Sequence, residues 1–320
     1  MNLSIGKRTR LHRLMYEHGP ANGTLMMLPI DQGLEHGPVD FFDNPDAIDT
    51  DWIYRLAVAG NFSGIALHIG LAEKYQKAYA GRVPLLLKVN GKTNIPSDDD
   101  AFSPMTSSVE DAIRLGADAV GYTLYVGSPA QEVDIAQCNE VRRECDRYGM
   151  PLVVWAYPRG AAIKAKGGID SLYAVDYAAR VACEIGADVI KLNEPVWKPD
   201  DAAKLPKPYN TMPFEDVDGL RKVVKSAGRS LVLVSGGSKM GDDAKGVIAE
   251  SLRETRADIV SYLNRMADSN AKLAGVKVAL ELFCGLVRDN PELISEFGPR
   301  IDALMDFLTG KTTKLPKVSV

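Results

Sequence analysis

Short apolar runs recur along the chain and alternate with segments of helical pattern. Seven runs rich in Val, Ile, Leu or aromatic residues are followed by a weaker eighth. They occupy residues 26–30, 64–68, 84–89, 119–126, 151–157, 189–193, 230–235 and 276–283. Most are apolar almost without interruption, which is typical of strands that are covered on both faces. The pattern therefore predicts repeated βα units around a parallel sheet.

The segments between the runs carry residues that begin and end helices. Ser107-Ser108-Val109-Glu110 fits a capping box, in which a hydroxyl and an acidic side chain bond to backbone N–H groups. One joint occurs twice, as Leu115-Gly116-Ala117-Asp118 and Ile185-Gly186-Ala187-Asp188. In each, we expect glycine to close a helix and the chain to enter a strand directly.

Eight βα units within roughly 250–300 residues predict a closed (β/α)₈ barrel, the TIM-barrel fold of the α/β class. A doubly wound sheet is the alternative, but the GxGxxG turn expected after its first strand is absent. The eighth strand is the least certain element, because residues 240–285 also fit a long helix. No linker-like stretch marks a boundary. We therefore expect one domain over residues 1–320, with a core from about 22 to 290 and helical extensions at both ends.

Composition narrows the class of protein. The 320 residues are 46% hydrophobic with a formal net charge of −4, so disorder and nucleic-acid binding are not expected. No apolar run approaches the roughly 18 residues of a membrane helix. The four cysteines lack CxxC spacing, and the N-terminus lacks the apolar core of a signal peptide. These features favour a cytoplasmic protein with reduced thiols and no membrane partner.

The ends of the predicted strands carry the candidate chemistry, since barrel enzymes place their sites there. Lys191 stands inside an apolar strand, where a desolvated amine can become a nucleophile that forms a Schiff base with a carbonyl. Extension of its amine to the strand end, or pairing with Glu194, is the alternative. Tyr157 ends the preceding strand and can transfer a proton if cations lower its pKa, with Lys191 and Arg159 as the candidates. It also fits a rim aromatic, and Trp155 fits barrel-wall packing.

Two loops offer further candidates. After the first strand, Asp31 can bind a substrate hydroxyl or can simply form the turn before Gly33, while His36 is a possible hydroxyl or phosphate contact. After the seventh strand, Ser235-Gly236-Gly237-Ser238-Lys239 lets backbone N–H groups approach an anion, although a tight turn is the alternative. Because barrels frequently bind phosphate there, we favour phosphate binding. The four histidines show no metal-binding spacing, so we expect no metal and no cofactor.

Together these strand ends resemble the archaeal-type class I fructose-bisphosphate aldolases, which use a lysine Schiff base on a (β/α)₈ barrel. The resemblance covers roughly residues 25–240 and keeps the order of the motifs. The matching stretches are LPIDQGLEHGP (28–38), LLLKVNGKT (85–93), VVWAYPRG (153–160), DVIKLN (188–193) and VSGGSK (234–239).

The resemblance implies a role for each candidate. Lys191 would be the Schiff-base lysine, Tyr157 the acid/base that transfers protons, and Asp31 the group that binds the hydroxyls of the substrate. Trp155 would pack beside the substrate, with Arg159 and His36 as additional contacts. The phosphate next to the ketone would be held by Gly236 and Gly237, with Ser235 or Lys239. The implied reaction is reversible cleavage of fructose 1,6-bisphosphate to dihydroxyacetone phosphate and glyceraldehyde 3-phosphate, in glycolysis or gluconeogenesis, by a homo-oligomer.

One departure affects the substrate. Members of the family usually carry a Gly-Arg pair at the end of the eighth strand that completes a phosphate site, and residues 277–282 (KVALEL) lack it. Arg288 and Lys272 are the candidates to replace the arginine of that pair. Two alternatives therefore stay open: a related lysine-imine transferase or an aldolase for another phosphorylated ketose, and a barrel that only binds a phosphosugar.

Overall fold

The fold was established from a computed structural model that describes residues 3–30, 32–42, 45–213 and 216–235. Apart from Val58–Asn61, these residues belong to one compact unit. The predicted eighth strand at 276–283 and the C-terminal helical extension lie outside the described residues. The expectation of a single domain therefore stays a prediction.

Seven of the apolar runs form strands, and each strand begins and ends within one residue of its predicted bounds. The strands are β1 (Met27–Pro29), β2 (Gly64–His68), β3 (Leu85–Lys88), β4 (Ala119–Val126), β5 (Leu152–Pro158), β6 (Val189–Leu192) and β7 (Leu231–Val234). They form one sheet in the order β1-β2-β3-β4-β5-β6-β7, and every neighbouring pair is parallel. The predicted α/β class is confirmed.

At least one helix joins each strand to the next, as parallel pairing requires. The helices are α1 (Ile5–His12), α2 (Gln32–Glu35), α3 (Thr50–Ala59), α4 (Ile69–Tyr79), α5 (Val109–Arg114), α6 (Gln131–Tyr148), α7 (Ala161–Lys164), α8 (Leu172–Glu184) and α9 (Asp216–Ser226). A π-helical turn, Arg13–Glu17, continues α1. Within the part of the chain that the structure describes, none of these helices is long and apolar enough to cross a membrane.

The predicted joints form as expected, and the capping box lies one residue further along. Gly116 and Gly186 take φ of +69° and +98°, a region that glycine enters without strain, and each is followed within three residues by a strand. In α5 the helix cap is Ser108, whose side chain accepts from the N–H of Asp111 while that carboxylate accepts from Ser108. The prediction had placed this box on Ser107 and Glu110.

One face of the sheet, called the inner face here, is covered near its amino end by α1 and the turn after it. Leu11 and Leu14 pack there in a buried cluster with Ala66, Leu86, Ala119, Val153, Trp155 and Val189. Lys7 bonds to Asp146 at 2.7 Å and to Asp188 at 2.8 Å. Asp188 immediately precedes β6, so the N-terminal helix is fixed at the amino ends of the strands. The carboxyl ends of the strands are the opposite end of the sheet.

Candidate active site

Alternation along the strands selects the side chains that face inward at the carboxyl end. Successive side chains of a strand point to opposite faces, so residues two apart share a face. Ala66, Leu86, Val153 and Val189 belong to the inner cluster. The residues two positions further along these strands therefore also face inward: His68, Lys88, Trp155 and Lys191.

Lys191 lies in β6 between Trp155 of β5 and Leu233 of β7, which are its partners in the parallel register. Its side chain is buried, with 9% of the residue exposed. The amine Nζ is 5.2 Å from the centroid of the Trp155 ring and 5.9 Å from that of Tyr157. The structure thus brings together three residues that sequence reasoning selected separately.

A glycine on β4 makes room for the Trp155 indole. A Cβ added to Gly121 would lie 2.7 Å from Cζ3 of Trp155 and 2.5 Å from Cδ2 of Leu86, closer than carbon atoms approach. The ring can therefore extend across β4 towards β3, where the amine of Lys88 lies 4.8 Å from its centroid. The indole Nε1 is buried and has no hydrogen-bond partner among the described residues. A buried donor of this kind suits a substrate oxygen.

Tyr157 is flanked by cations at the rim of the site. Its ring centroid lies 5.5 Å from the guanidinium carbon of Arg159 and 5.9 Å from the amine of Lys191. Cations near a phenol stabilise the phenolate and so favour proton transfer from it. This arrangement agrees with the two cations that the sequence offered for Tyr157.

Arg159 is held by a carboxylate in the connection after β3. Asp98 bonds to Nε of Arg159 at 3.0 Å and to Nζ of Lys92 at 2.8 Å. Burial would raise the pKa of Asp98, but the hydrogen bond from Lys92 and the charge of Arg159 together lower it below its ordinary value. Both cations also lie over the ring of Tyr125. Asp98 therefore stays ionised and fixes the direction of Arg159.

Sequence reasoning missed Lys88 and Glu35, which form an ion pair of 2.7 Å. Lys88 is fully buried at the end of β3, and the Glu35 side chain is 15% exposed. The signal that identified Lys191, a charged amine inside an apolar strand, is also present at Lys88 in the run PLLLKV. Nothing in the periodicity identifies Glu35, because it stands in the irregular connection after β1.

The structure describes two of the remaining predicted site residues, His36 and Ser235. His36 is exposed, and its backbone oxygen accepts a 3.2 Å hydrogen bond from the side chain of Asn94. Ser235 directly follows β7, and its N–H donates to the oxygen of Leu192 at 2.7 Å. Asp31, Gly236, Gly237 and Lys239 lie outside the described residues, so their roles stay predictions.

An open cleft of about 400 Å³ lies beside this end of the sheet, between the connection after β1 and the one after β3. Its lining includes Leu34, Gly91, Lys92, Thr93 and Phe102. Among the described residues, no group of three or more His, Cys, Asp or Glu side chains is placed to hold a metal ion. The arrangement can instead supply a buried amine, a phenol and a free indole N–H to a carbonyl compound.

Comparison with known proteins agrees with this arrangement. Residues 25–271 match the profile of a family described as DeoC/LacD family aldolase. A relative from Thermoproteus tenax, named fructose-bisphosphate aldolase class 1, is 40% identical over 217 residues, which are 68% of this chain and 73% of that protein.

Two solved structures superpose with a TM-score of 0.63 at 34% identity, and each match covers 77% of this chain. One is a Schiff-base-forming fructose-1,6-bisphosphate aldolase whose reaction intermediates were analysed, matched over 87% of its chain. The other is an archaeal fructose-1,6-bisphosphate aldolase whose catalytic lysine is covalently bound to the carbinolamine intermediate of the substrate, matched over 86% of its chain.

Proposed function

The chain belongs to the DeoC/LacD family of aldolases, and from this premise we propose that it is a Schiff-base lyase that cleaves fructose 1,6-bisphosphate. The products are dihydroxyacetone phosphate and glyceraldehyde 3-phosphate, and the reaction is reversible. The observation that carries the proposal is the buried amine of Lys191, which faces Trp155 and Tyr157 at the carboxyl end of the sheet. The family, and the relatives named as this aldolase, support the choice of substrate.

The proposal includes a complete (β/α)₈ barrel. Seven parallel strands in sequential order support it, because that order is the one a barrel requires. An eighth strand at 276–283 would pair with β7 and β1 to close the sheet.

In the proposed mechanism, Lys191 attacks the ketone carbon C2 of the substrate. The resulting carbinolamine loses water and leaves a protonated imine between Nζ and C2. Burial favours the neutral amine that attacks, and the nearby indole and phenol exclude water from it. The free Nε1–H of Trp155 is placed to donate to a substrate oxygen.

The protonated imine then accepts the electron pair of the C3–C4 bond. As that bond breaks, the phenolate of Tyr157 accepts the proton of the C4 hydroxyl, glyceraldehyde 3-phosphate departs, and an enamine remains on Lys191. Tyr157 donates a proton to C3 of the enamine, which restores the imine. Water then hydrolyses the imine, releasing dihydroxyacetone phosphate and the free amine. The iminium performs the electron-withdrawing role of a Lewis acid, so no metal is needed.

The residues proposed to recognise the phosphate and the hydroxyls of the substrate lie mostly outside the described part of the chain. Asp31 would bind the hydroxyls, and Gly236 and Gly237, with Ser235 or Lys239, would bind the phosphate next to the ketone. Arg159 and His36 would be further contacts. A cytoplasmic location and a homo-oligomeric assembly also belong to this proposal.

A cleavage assay with the full chain tests the proposed function. We expect fructose 1,6-bisphosphate to be cleaved without an added acceptor and in the presence of EDTA. Lys191→Met should lower kcat/KM by about four orders of magnitude or more, since the nucleophile is lost. Lys164→Met is the matched control, because that lysine is exposed and its ion pair within the described part of the chain is with Asp99. An imine on Lys191 without cleavage in the absence of an acceptor would overturn the proposal in favour of a transferase.

A further inference from the structure

Lys88 is a second lysine in the interior of the site, on the strand two positions before β5. It faces inward at the carboxyl end of β3, and the structure leaves none of its surface exposed. Its Nζ lies 4.8 Å from the centroid of the Trp155 ring, and Nζ of Lys191 lies 5.2 Å from the same centroid. One indole therefore contacts both lysines, since Gly121 lets it reach across β4.

Fold stability does not account for the ion pair of Lys88 with Glu35. Removing two charges from water costs about as much as their attraction returns, so an apolar pair of similar volume serves a buried position equally well. Lys7 provides a comparison at the opposite end of the sheet, where it is also buried and pairs with Asp146 and Asp188. The Lys88 pair differs because both of its members belong to the site end.

Glu35 brings α2 to β3. Two further contacts join the connection after β1 to the connection after β3. Leu34 packs against Gly91, where an added Cβ would lie 2.7 Å from Cδ2 of Leu34, and Asn94 donates to the backbone oxygen of His36. In the sequence α2 begins directly after Asp31. The pair therefore sets the position of the connection from which two of the predicted substrate contacts come.

We propose that Lys88 is a positioning residue of the aldol reaction. Through Glu35 it holds α2 at the carboxyl end of β3, and through its ammonium it holds the Trp155 indole beside Lys191. This inference rests on the proposed function. It assigns to Lys88 an effect on the geometry of the imine at Lys191, without contact between Lys88 and the substrate carbonyl. Because misplacement of about 1 Å in a site costs up to about 10²-fold in rate, the effect belongs in kcat.

The test compares Lys88→Met, Glu35→Gln and Lys7→Met with the unaltered protein. Each protein is first reduced with borohydride in the presence of dihydroxyacetone phosphate until no more adduct forms, which gives the fraction of sites able to form the imine. The rate of fructose 1,6-bisphosphate cleavage is then divided by that fraction. We expect Lys88→Met and Glu35→Gln each to lower kcat per site by about tenfold or more, with KM changed less than about threefold. Combining the two changes should lower kcat no further than either alone, since they remove one unit.

Lys7→Met should lose stability but keep kcat per site, which separates positioning from general destabilisation. If Lys88→Met does not fold, Glu35→Gln carries the same test, because it keeps the shape of the side chain. A kcat per site within twofold of the unaltered protein in the folded variants would overturn the positioning role and leave the aldolase standing. Absence of any adduct in the unaltered protein would instead refute the proposed function.

Discussion

At the residue scale, the chemistry of the site depends on the buried position of the Lys191 amine. Lys191 lies among apolar neighbours on β6. Its register partner on β5 is Trp155, and its amine lies near the rings of both Trp155 and Tyr157. An aromatic face attracts an ammonium and shields it from water. The same position therefore holds the amine in place and suits it to act as a nucleophile once a carbonyl arrives.

Replacing Tyr157 tests its proton transfer separately from imine formation. Tyr157→Phe keeps the ring against Lys191 and Arg159 but removes the hydroxyl. We expect kcat for cleavage to fall by about 10²–10⁴-fold, the usual contribution of general acid–base catalysis. Borohydride trapping at Lys191 should persist. Cleavage at the original rate, measured in the same coupled assay, would assign the proton to another group.

Enlarging Gly121 tests the place of the indole. Gly121→Ala puts a methyl group 2.7 Å from Cζ3 of Trp155, so the ring or β4 must move. We expect a loss of about 1–3 kcal/mol in the free energy of unfolding, together with a lower kcat. Urea unfolding and the cleavage assay measure the two effects.

Gly70→Ala is the matched control for that substitution. It is the second residue of α4, and an added Cβ there would meet no atom of the described residues within 4 Å. Because Gly70 is exposed and lies in the first turn, the free energy of unfolding should change by less than about 0.5 kcal/mol, with kcat unchanged. Equal behaviour of the two variants would mean that Gly121 does not place the indole.

At the element scale, α1 fastens the amino ends of the strands through Lys7. Lys7→Met would leave Asp188, which is buried and also accepts from the N–H of Leu152, without its cation. We expect a loss of about 3 kcal/mol in the free energy of unfolding. Urea unfolding checks this, and a change below 1 kcal/mol would contradict it.

The same contact predicts a pH dependence in the alkaline range. Burial lowers the pKa of Lys7, but the hydrogen bonds to Asp146 and Asp188 outweigh it and raise the pKa above the ordinary 10.5. Because the folded chain binds this proton more tightly than the unfolded chain, the stabilisation is fully present below pH 10.5 and is lost as pH rises through the folded pKa. The stability difference between the unaltered protein and Lys7→Met should shrink there.

The sequence predicted the bounds of the strands better than it predicted the contacts between helices and strands. The seven runs gave strands within one residue because a strand covered on both faces must be apolar along its whole length. The capping box moved by one residue because two serines and two acidic residues at the start of α5 offer overlapping solutions. The docking of α1 on the inner face was not predicted, since an apolar stripe on a helix does not state which surface it covers.

At the scale of the whole molecule, parallel sequential order explains why the candidate residues meet. Lys88, Trp155 and Lys191 stand on three strands far apart in sequence, yet parallel pairing brings their inward positions to one end of the sheet. The meeting of Trp155 and Lys191 was predicted from the strand ends alone, whereas Lys88 was not selected. The Lys88–Glu35 pair was not predicted, because the connection after β1 has no periodicity from which its path could be read.

The same strand order places the buried ion pairs of Lys7 and Lys88 at opposite ends of the sheet. Lys7 pairs at the amino ends, where it fastens a helix, and Lys88 pairs at the carboxyl ends, beside the amine of Lys191. Changes at the first end should therefore act on stability, and changes at the second on turnover. The variants described above compare these two ends directly.

Borohydride trapping followed by peptide mapping tests the central claim most directly. The full chain is incubated with fructose 1,6-bisphosphate or with dihydroxyacetone phosphate, reduced, digested and examined by mass spectrometry, with Lys191→Ala as the control. A stable adduct on Lys191 in both incubations, absent from the control, is the result that this account predicts. No adduct with either compound, or an adduct on Lys88 instead, would contradict it.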